Sequence, residues 1–202
     1  AFGPNALGAN TTAASNAAFG HSALAANTTG VQNVAVGRYA LDANVDNNNN
    51  TAIGYAALTT LNGGAENVAV GSSAGNAQTT ASSNTLIGHY AGTVITTGAS
   101  ITAVGHNALA ANTTGASNVA VGSSAGDVIT TGGQNVIVGN SCDPSASGAT
   151  NQIVMGYNGT GSGNGTITVA DGGTDSTMTL GGTTWSAPSD IRLKEDIQDE
   201  EV

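Results

Sequence analysis

From Gly3 to Gly156 every seventeenth residue is glycine: Gly3, Gly20, Gly37, Gly54, Gly71, Gly88, Gly105, Gly122, Gly139 and Gly156. No insertion or deletion breaks the spacing. A period this short cannot be a chain of domains. It fits one coil of a solenoid per repeat, each coil covering its apolar side by stacking on its neighbours. The expected object is a rod, and ten rungs at ~4.8 Å each give a shaft ~48 Å long.

Aligned on this ruler glycine, the repeats share a short alternating segment. The residue before the glycine is Phe2, Phe19, Val36, Ile53, Val70, Ile87, Val104, Val121, Val138 or Met155, and two residues earlier come Val34, Thr51, Val68, Thr85, Thr102, Val119, Val136 and Ile153. Between them lies mostly alanine, as at Ala18, Ala35, Ala52, Ala69, Ala103 and Ala120. Period-2 alternation with β-branched residues on one face predicts a strand. The glycine ends it, where the backbone bends sharply or another backbone comes close.

Three residues after the glycine stands Ala6, Ala23, Ala40, Ala57, Ala74, Ala91, Ala108 or Ala125. Leu7, Leu24, Leu41, Leu58 and Leu109 often follow, with Gly75, Gly92 and Gly126 in a second subtype. This predicts a second short strand with small inward residues. The remainder is turn, Asn27-Thr28-Thr29-Gly30 recurring as Asn112-Thr113-Thr114-Gly115. Four residues before the ruler glycine runs an asparagine column, Asn16, Asn33, Asn50, Asn67, Asn84, Asn118 and Asn135, continued by Gln152 and broken by Ile101. Stacked amides one rung apart bond along the axis and satisfy turn backbone, so the column reads as structural.

Only 8% of the 202 residues are charged and 3% aromatic, which does not describe an ordinary globule. The net charge is -10, and residues 1–189 hold seven acids against Arg38 as the only Lys or Arg. Binding of nucleic acid through phosphates is disfavoured. No signal peptide and no bilayer-spanning apolar run is present, so no membrane insertion is expected. Ala1 enters the repeat in phase, which reads as a fragment of a longer chain. Cys142 takes a position that is mostly Ala in other repeats, the place of a small buried filler.

Only two segments of each coil carry apolar residues, so the coil is expected to be a flat two-strand roll with a polar loop. Two or three buried Val or Leu side chains per coil fall well short of the entropy lost in ordering a whole repeat. Rung-to-rung hydrogen bonds and dispersion close part of the gap, and packing against two identical chains, a homotrimer around a three-fold axis, is expected to supply the remainder.

The segments Asn33-Val34-Ala35-Val36-Gly37, Asn67-Val68-Ala69-Val70-Gly71 and Asn118-Val119-Ala120-Val121-Gly122, each with Ala three residues on, resemble the head repeats of trimeric autotransporter adhesins. The resemblance implies a left-handed parallel β-roll that trimerises, over residues 1–158. Phage fibres use the same repeat. Residues 159–188 contain two alternating segments, Thr166-Ile167-Thr168-Val169-Ala170 and Thr177-Met178-Thr179-Leu180-Gly181, expected to form a hairpin or a three-chain β-prism. In 189–202, Ser189-Asp190-Ile191-Arg192-Leu193-Lys194 resembles the start of the endosialidase-type intramolecular chaperone of phage tail spikes and fibres. That resemblance implies single-turnover self-cleavage at Ser189–Asp190, with Ser189 as nucleophile and Lys194 as base, given a complete chaperone domain. The chain stops at Val202, before nearly all of such a domain.

His21, His89 and His106 each follow a ruler glycine, and His89 and His106 are neighbours on consecutive rungs, candidates for a metal or anion site. Arg38, Tyr55, Ser72 and Ser123 take the same position elsewhere, which favours a surface or inter-chain hydrogen-bonding role. Tyr39, Tyr55, Tyr90 and Trp185 could stack on sugars, though Tyr39 and Tyr90 share one register and Tyr55 another. The Thr pairs, among them Thr28-Thr29 and Thr113-Thr114, would point opposite ways in a strand, which argues against an ice-binding face. No paired carboxylates, metal-spaced His/Cys set or phosphate loop appears, so an enzyme acting on an external substrate is not expected, nor a cofactor. The functional expectation is the shaft of a trimeric phage tail fibre, extracellular on the virion, that holds or forms an element binding a host receptor or glycan. The alternatives are a bacterial adhesin head and the non-catalytic part of an enzyme-bearing tailspike.

Overall fold

The computed structural model describes residues 1–172 and 175–182, and the described residues contain no helix. Among the described residues one sheet holds every strand, in chain order: β1 (Ala17–Phe19), β2 (Val34–Val36), β3 (Thr51–Ile53), β4 (Val68–Val70), β5 (Thr85–Ile87), β6 (Thr102–Val104), β7 (Val119–Val121), β8 (Val136–Asn140), β9 (Ile153–Tyr157), β10 (Thr166–Ala170) and β11 (Ser176–Thr179). From β1 to β9 all neighbours are parallel, and each residue pairs with its equivalent one repeat on, for example Ala35↔Ala52 and Ala52↔Ala69. A parallel bridge between Phe2 and Phe19 adds a further rung. The protein is a β-solenoid with one repeat coiled into each rung.

The ruler glycine owes its place to both anticipated causes. Its φ lies near +135°, as at Gly20 (+136°) and Gly37 (+133°), a region that L side chains rarely adopt. The next rung is also in the way, because a Cβ on Gly20 would stand 2.6 Å from the carbonyl oxygen of Gly37. The corner can be turned at this pitch only by a residue without a side chain.

The second expected strand does not form. Residues after the ruler glycine make consecutive turns: Ala23 N–H donates to the Gly20 carbonyl at 3.3 Å and Asn27 N–H to that of Leu24 at 3.2 Å. Ser22 (φ 55°) and Leu24 (φ 52°) are left-handed, and a chain alternating in that way cannot extend. Bonds between rungs persist all the same, as Tyr39 N–H to His21 (3.0 Å) and Leu24 N–H to Ala40 (3.0 Å). The roll therefore has one strand per coil and closes with turns.

The strand's inward face is the alanine, not the valine. Ala18, Ala35, Ala52, Ala69, Ala103 and Ala120 are wholly buried, whereas their β-branched neighbours look outward. The core is thin, and at some rungs a larger strand centre meets a smaller turn residue. Where the turn carries Leu24, Leu41 or Leu58, the facing strand centre is Ala. Leu86 replaces that Ala where the turns on both sides carry Gly75 and Gly92, and its methyls lie 2.7 Å and 3.0 Å from where their Cβ atoms would be. Gly75, Gly92 and Gly126 keep the left-handed φ of the leucines they replace (56–64° against 50–52°). Cys142 is fully buried in the alanine column, as a small filler should be.

The asparagine column is a buried ladder. Oδ1 of Asn16, Asn33, Asn50 and Asn67 accepts the backbone N–H of the next member at 2.9–3.1 Å. Each amide nitrogen donates across the coil to a turn carbonyl, Asn33 to Asn47 and Asn84 to Gly98. Ile101 takes its turn through its main chain, donating to Asn84 Oδ1 at 2.8 Å. At the C-terminal end β10 pairs in parallel with β9 after a shorter coil (Ile153↔Ile167), and β11 pairs antiparallel with β10.

Candidate functional site

Two surfaces stand out, and the same alternation creates both. Burying alanine forces the residues on either side of it out of the roll. The column before the ruler glycine is therefore an exposed apolar stripe: Phe19, Val36, Ile53, Ile87, Val121, Val138 and Met155 are all exposed, Ile87 at 39%. Val34, Thr51, Val119 and Val136, two residues back, are half-buried beside it. Neither column contains a charged side chain. A β-branched, uncharged face repeated along a rod is a contiguous apolar patch of the kind that marks an interaction surface. Covering its outermost column would contribute about 1 kcal/mol per rung.

The second surface lies just past the glycine. All four tyrosines (Tyr39, Tyr55, Tyr90, Tyr157), all three histidines and Arg38 occupy the two positions that follow a ruler glycine. Tyr39 and Tyr55 differ in register, yet the structure brings them together edge-on, with centroids 6.3 Å apart. His21 meets Tyr39 at 5.6 Å. Arg38 lies 4.6 Å over the Tyr39 ring and donates from its guanidinium to the Tyr39 hydroxyl at 2.8 Å. His89 packs on Tyr90 (3.8 Å) and stacks on His106 (5.5 Å). Tyr55 is 53% exposed. These are two short platforms of rings separated by Ser72, able to stack on flat ligands and to offer hydrogen bonds. His89 and His106 are thus adjacent, but no group of three metal-ligating side chains exists among the described residues.

The threonine pairs lie in bends. Oγ1 of Thr28, Thr96 and Thr113 donates to a carbonyl one rung on, at 3.1–3.2 Å, so the first hydroxyl of each pair is spent on the stack. Sequence reasoning missed one pair of acids. Burial, and then the charge of Asp127, raise the Asp143 carboxyl to about 6, with the Val128 N–H opposing them. Burial likewise raises Asp42, against the pull of His21. Acids in corresponding turns of consecutive coils were the available signal. It missed equally a second buried amide column containing Asn27, Asn44, Gln78 and Asn112, in which both amide atoms of Gln78 and of Asn112 lack a partner.

Ser189 and Lys194, proposed for self-cleavage, and Trp185 lie outside the described residues. No helix among the described residues is long and apolar enough to cross a membrane. Comparison with protein-family models, with curated proteins and with solved structures finds no match to this chain.

Proposed function

We propose that this chain is a shaft segment of a homotrimeric fibre of the phage tail-fibre kind, with three solenoids packed through their valine faces around a common axis. The supporting observation is the outward stripe from Phe19 to Met155, apolar, uncharged and in register on every rung. A face of that length is best covered by an identical face, because only a copy repeats at the same pitch. The function is geometric: a stiff rod carries adhesive groups away from the particle, and the ring platforms at Arg38–Tyr39–Tyr55 and His89–Tyr90–His106 are the groups it would offer to a host receptor or glycan. Self-cleavage through Ser189 and Lys194 belongs to the same reading and requires the complete chaperone domain.

Light scattering on the purified chain tests the assembly. The expected mass is three times that of the 19.4 kDa chain. Val36→Asp with Val121→Asp should return it to one chain mass, because each buries a carboxylate at the seam. A folded wild-type monomer at micromolar concentration overturns the reading.

A further inference from the structure

The chain leaving β8 departs from the other coils at one peptide bond. In the fourth place after the ruler glycine, Leu24, Leu41, Leu58 and Leu109 have a left-handed φ of 51–52°. Asp143 holds that place here and is followed by Pro144, the one Asp-Pro pair in the chain. A proline drives the residue before it toward extended conformations. Asp143 is accordingly not left-handed, and it pairs with Thr160 as a parallel bridge. Its N–H donates to the Gly159 carbonyl at 2.8 Å, and its own carbonyl accepts the Gly161 N–H at 2.8 Å.

This geometry sets a nucleophile beside an electrophile. In an extended residue the carbonyl lies along its hydrogen bond to the next strand, and the side chain stands perpendicular to the sheet. The Asp143 carboxyl is thus set against the face of its own carbonyl carbon, the direction from which an oxygen adds. The Val128 N–H, 3.5 Å from Oδ1, draws the carboxyl toward the coil before, while the carbonyl oxygen points to the coil after. The Gly161 N–H is already aimed at the oxygen on which charge develops. The leaving nitrogen belongs to the tertiary amide of Pro144. Asp127, on the coil before, is the titratable group that faces this carboxyl, and on the coil after Asp175 stands beyond Thr160, accepting its N–H at 3.4 Å. Burial and then Asp127 hold the Asp143 carboxyl neutral up to about 6.

We propose that in mild acid the chain cuts itself between Asp143 and Pro144. A carboxyl oxygen of Asp143 adds to the Asp143 carbonyl carbon and closes a five-membered anhydride. The C–N bond to Pro144 breaks, and the carboxyl's proton passes to the proline nitrogen. Water then opens the anhydride, leaving Asp143 as a new C-terminus and Pro144 as a new N-terminus. The reacting form is the neutral acid, which carries both the attacking oxygen and the proton for the nitrogen, so a proton retained by burial extends the reaction to higher pH. Ser145 to Gly148 are exposed beside the bond, which admits the water. Pro144 is buried, and the ammonium it becomes is expelled from that place, so the ends do not rejoin. The cut separates β1–β8 from β9–β11 and needs no second chain.

The full chain, incubated at about pH 5 and at about pH 7.5 and read by mass spectrometry, tests it. Fragments 1–143 and 144–202 should accumulate at the lower pH and not at the higher. They should form at least about tenfold faster in the folded chain than in the same chain unfolded in urea at that pH, because the fold fixes the attacking geometry. Asp143→Asn keeps the shape of the side chain and should give no cut. Asp127→Asn should keep the cut and move the fall in its rate to lower pH. A chain without a fragment beginning at Pro144, equal rates in the folded and urea-unfolded chains, cutting in Asp143→Asn, or a chain already unfolded at about pH 5 by circular dichroism overturns the proposal.

Discussion

Asn50 takes two hydrogen bonds from Asn67 on one oxygen, 3.0 Å from the backbone N–H and 3.1 Å from the side-chain amide. Asn67 passes the same service on, accepting from Asn84 N–H at 3.1 Å and donating to the Ala81 carbonyl at 2.9 Å. One wholly buried side chain thus joins three coils. Asn67→Ala strands the Asn84 N–H and the Ala81 carbonyl, and should destabilise the fold by about 3 kcal/mol in urea unfolding. A loss below about 1 kcal/mol would mean that water repairs the ladder.

The second amide column should behave in the opposite sense. Gln78 and Asn112 are wholly buried, and no amide atom of either has a partner. Leu61, Ile95 and Ile129 occupy the same column elsewhere. Gln78→Leu and Asn112→Ile should each stabilise by about 1–2 kcal/mol, read as a higher urea midpoint at unchanged slope.

At the ruler, Gly88→Ala combines a φ of +138° with a Cβ driven into the Gly105 carbonyl. We expect a loss of more than about 3 kcal/mol, whereas Ser72→Ala one coil earlier, at an exterior turn, stays within about 0.5 kcal/mol. Circular dichroism during thermal melting separates the two. Equal melting of both variants would refute the steric account of the glycine ruler.

Stability should also carry a signature of Asp143. Its folded carboxyl, near 6, lies above the usual 3.8 because burial and Asp127 favour the neutral form. Between about pH 4 and pH 6 the folded chain holds a proton that the unfolded chain has released, so stability falls as pH rises through that window and levels off above it. Asp143→Asn should remove this slope and stabilise at pH 7 by about 1 kcal/mol, a figure reduced for solvent screening at a half-buried site. An unchanged slope in the variant would assign the pH dependence to other groups.

Much of this architecture was legible in the residues. The glycine spacing determined one coil per repeat, because a Cβ at those positions has no space and no allowed backbone. The Ala flanked by β-branched residues marked β2, β3, β4, β6 and β7, and the Asn column marked a ladder, because amides recurring at one register of a stack can bond from rung to rung. The sequence was silent where the decision lay between distant residues. Which side of the strand faces inward depends on the width left by Leu24 or Leu58 across the coil, and that width admits alanine and expels valine. The second segment turns instead of extending because Ser22 and Leu24 adopt left-handed conformations that no pattern of apolar residues announces. The meeting of Leu86 with Gly75 and Gly92, of Tyr39 with Tyr55, and of Asp127 with Asp143 came only with the stacking of coils, since each joins side chains that are neighbours across the roll or along its axis and strangers along the chain.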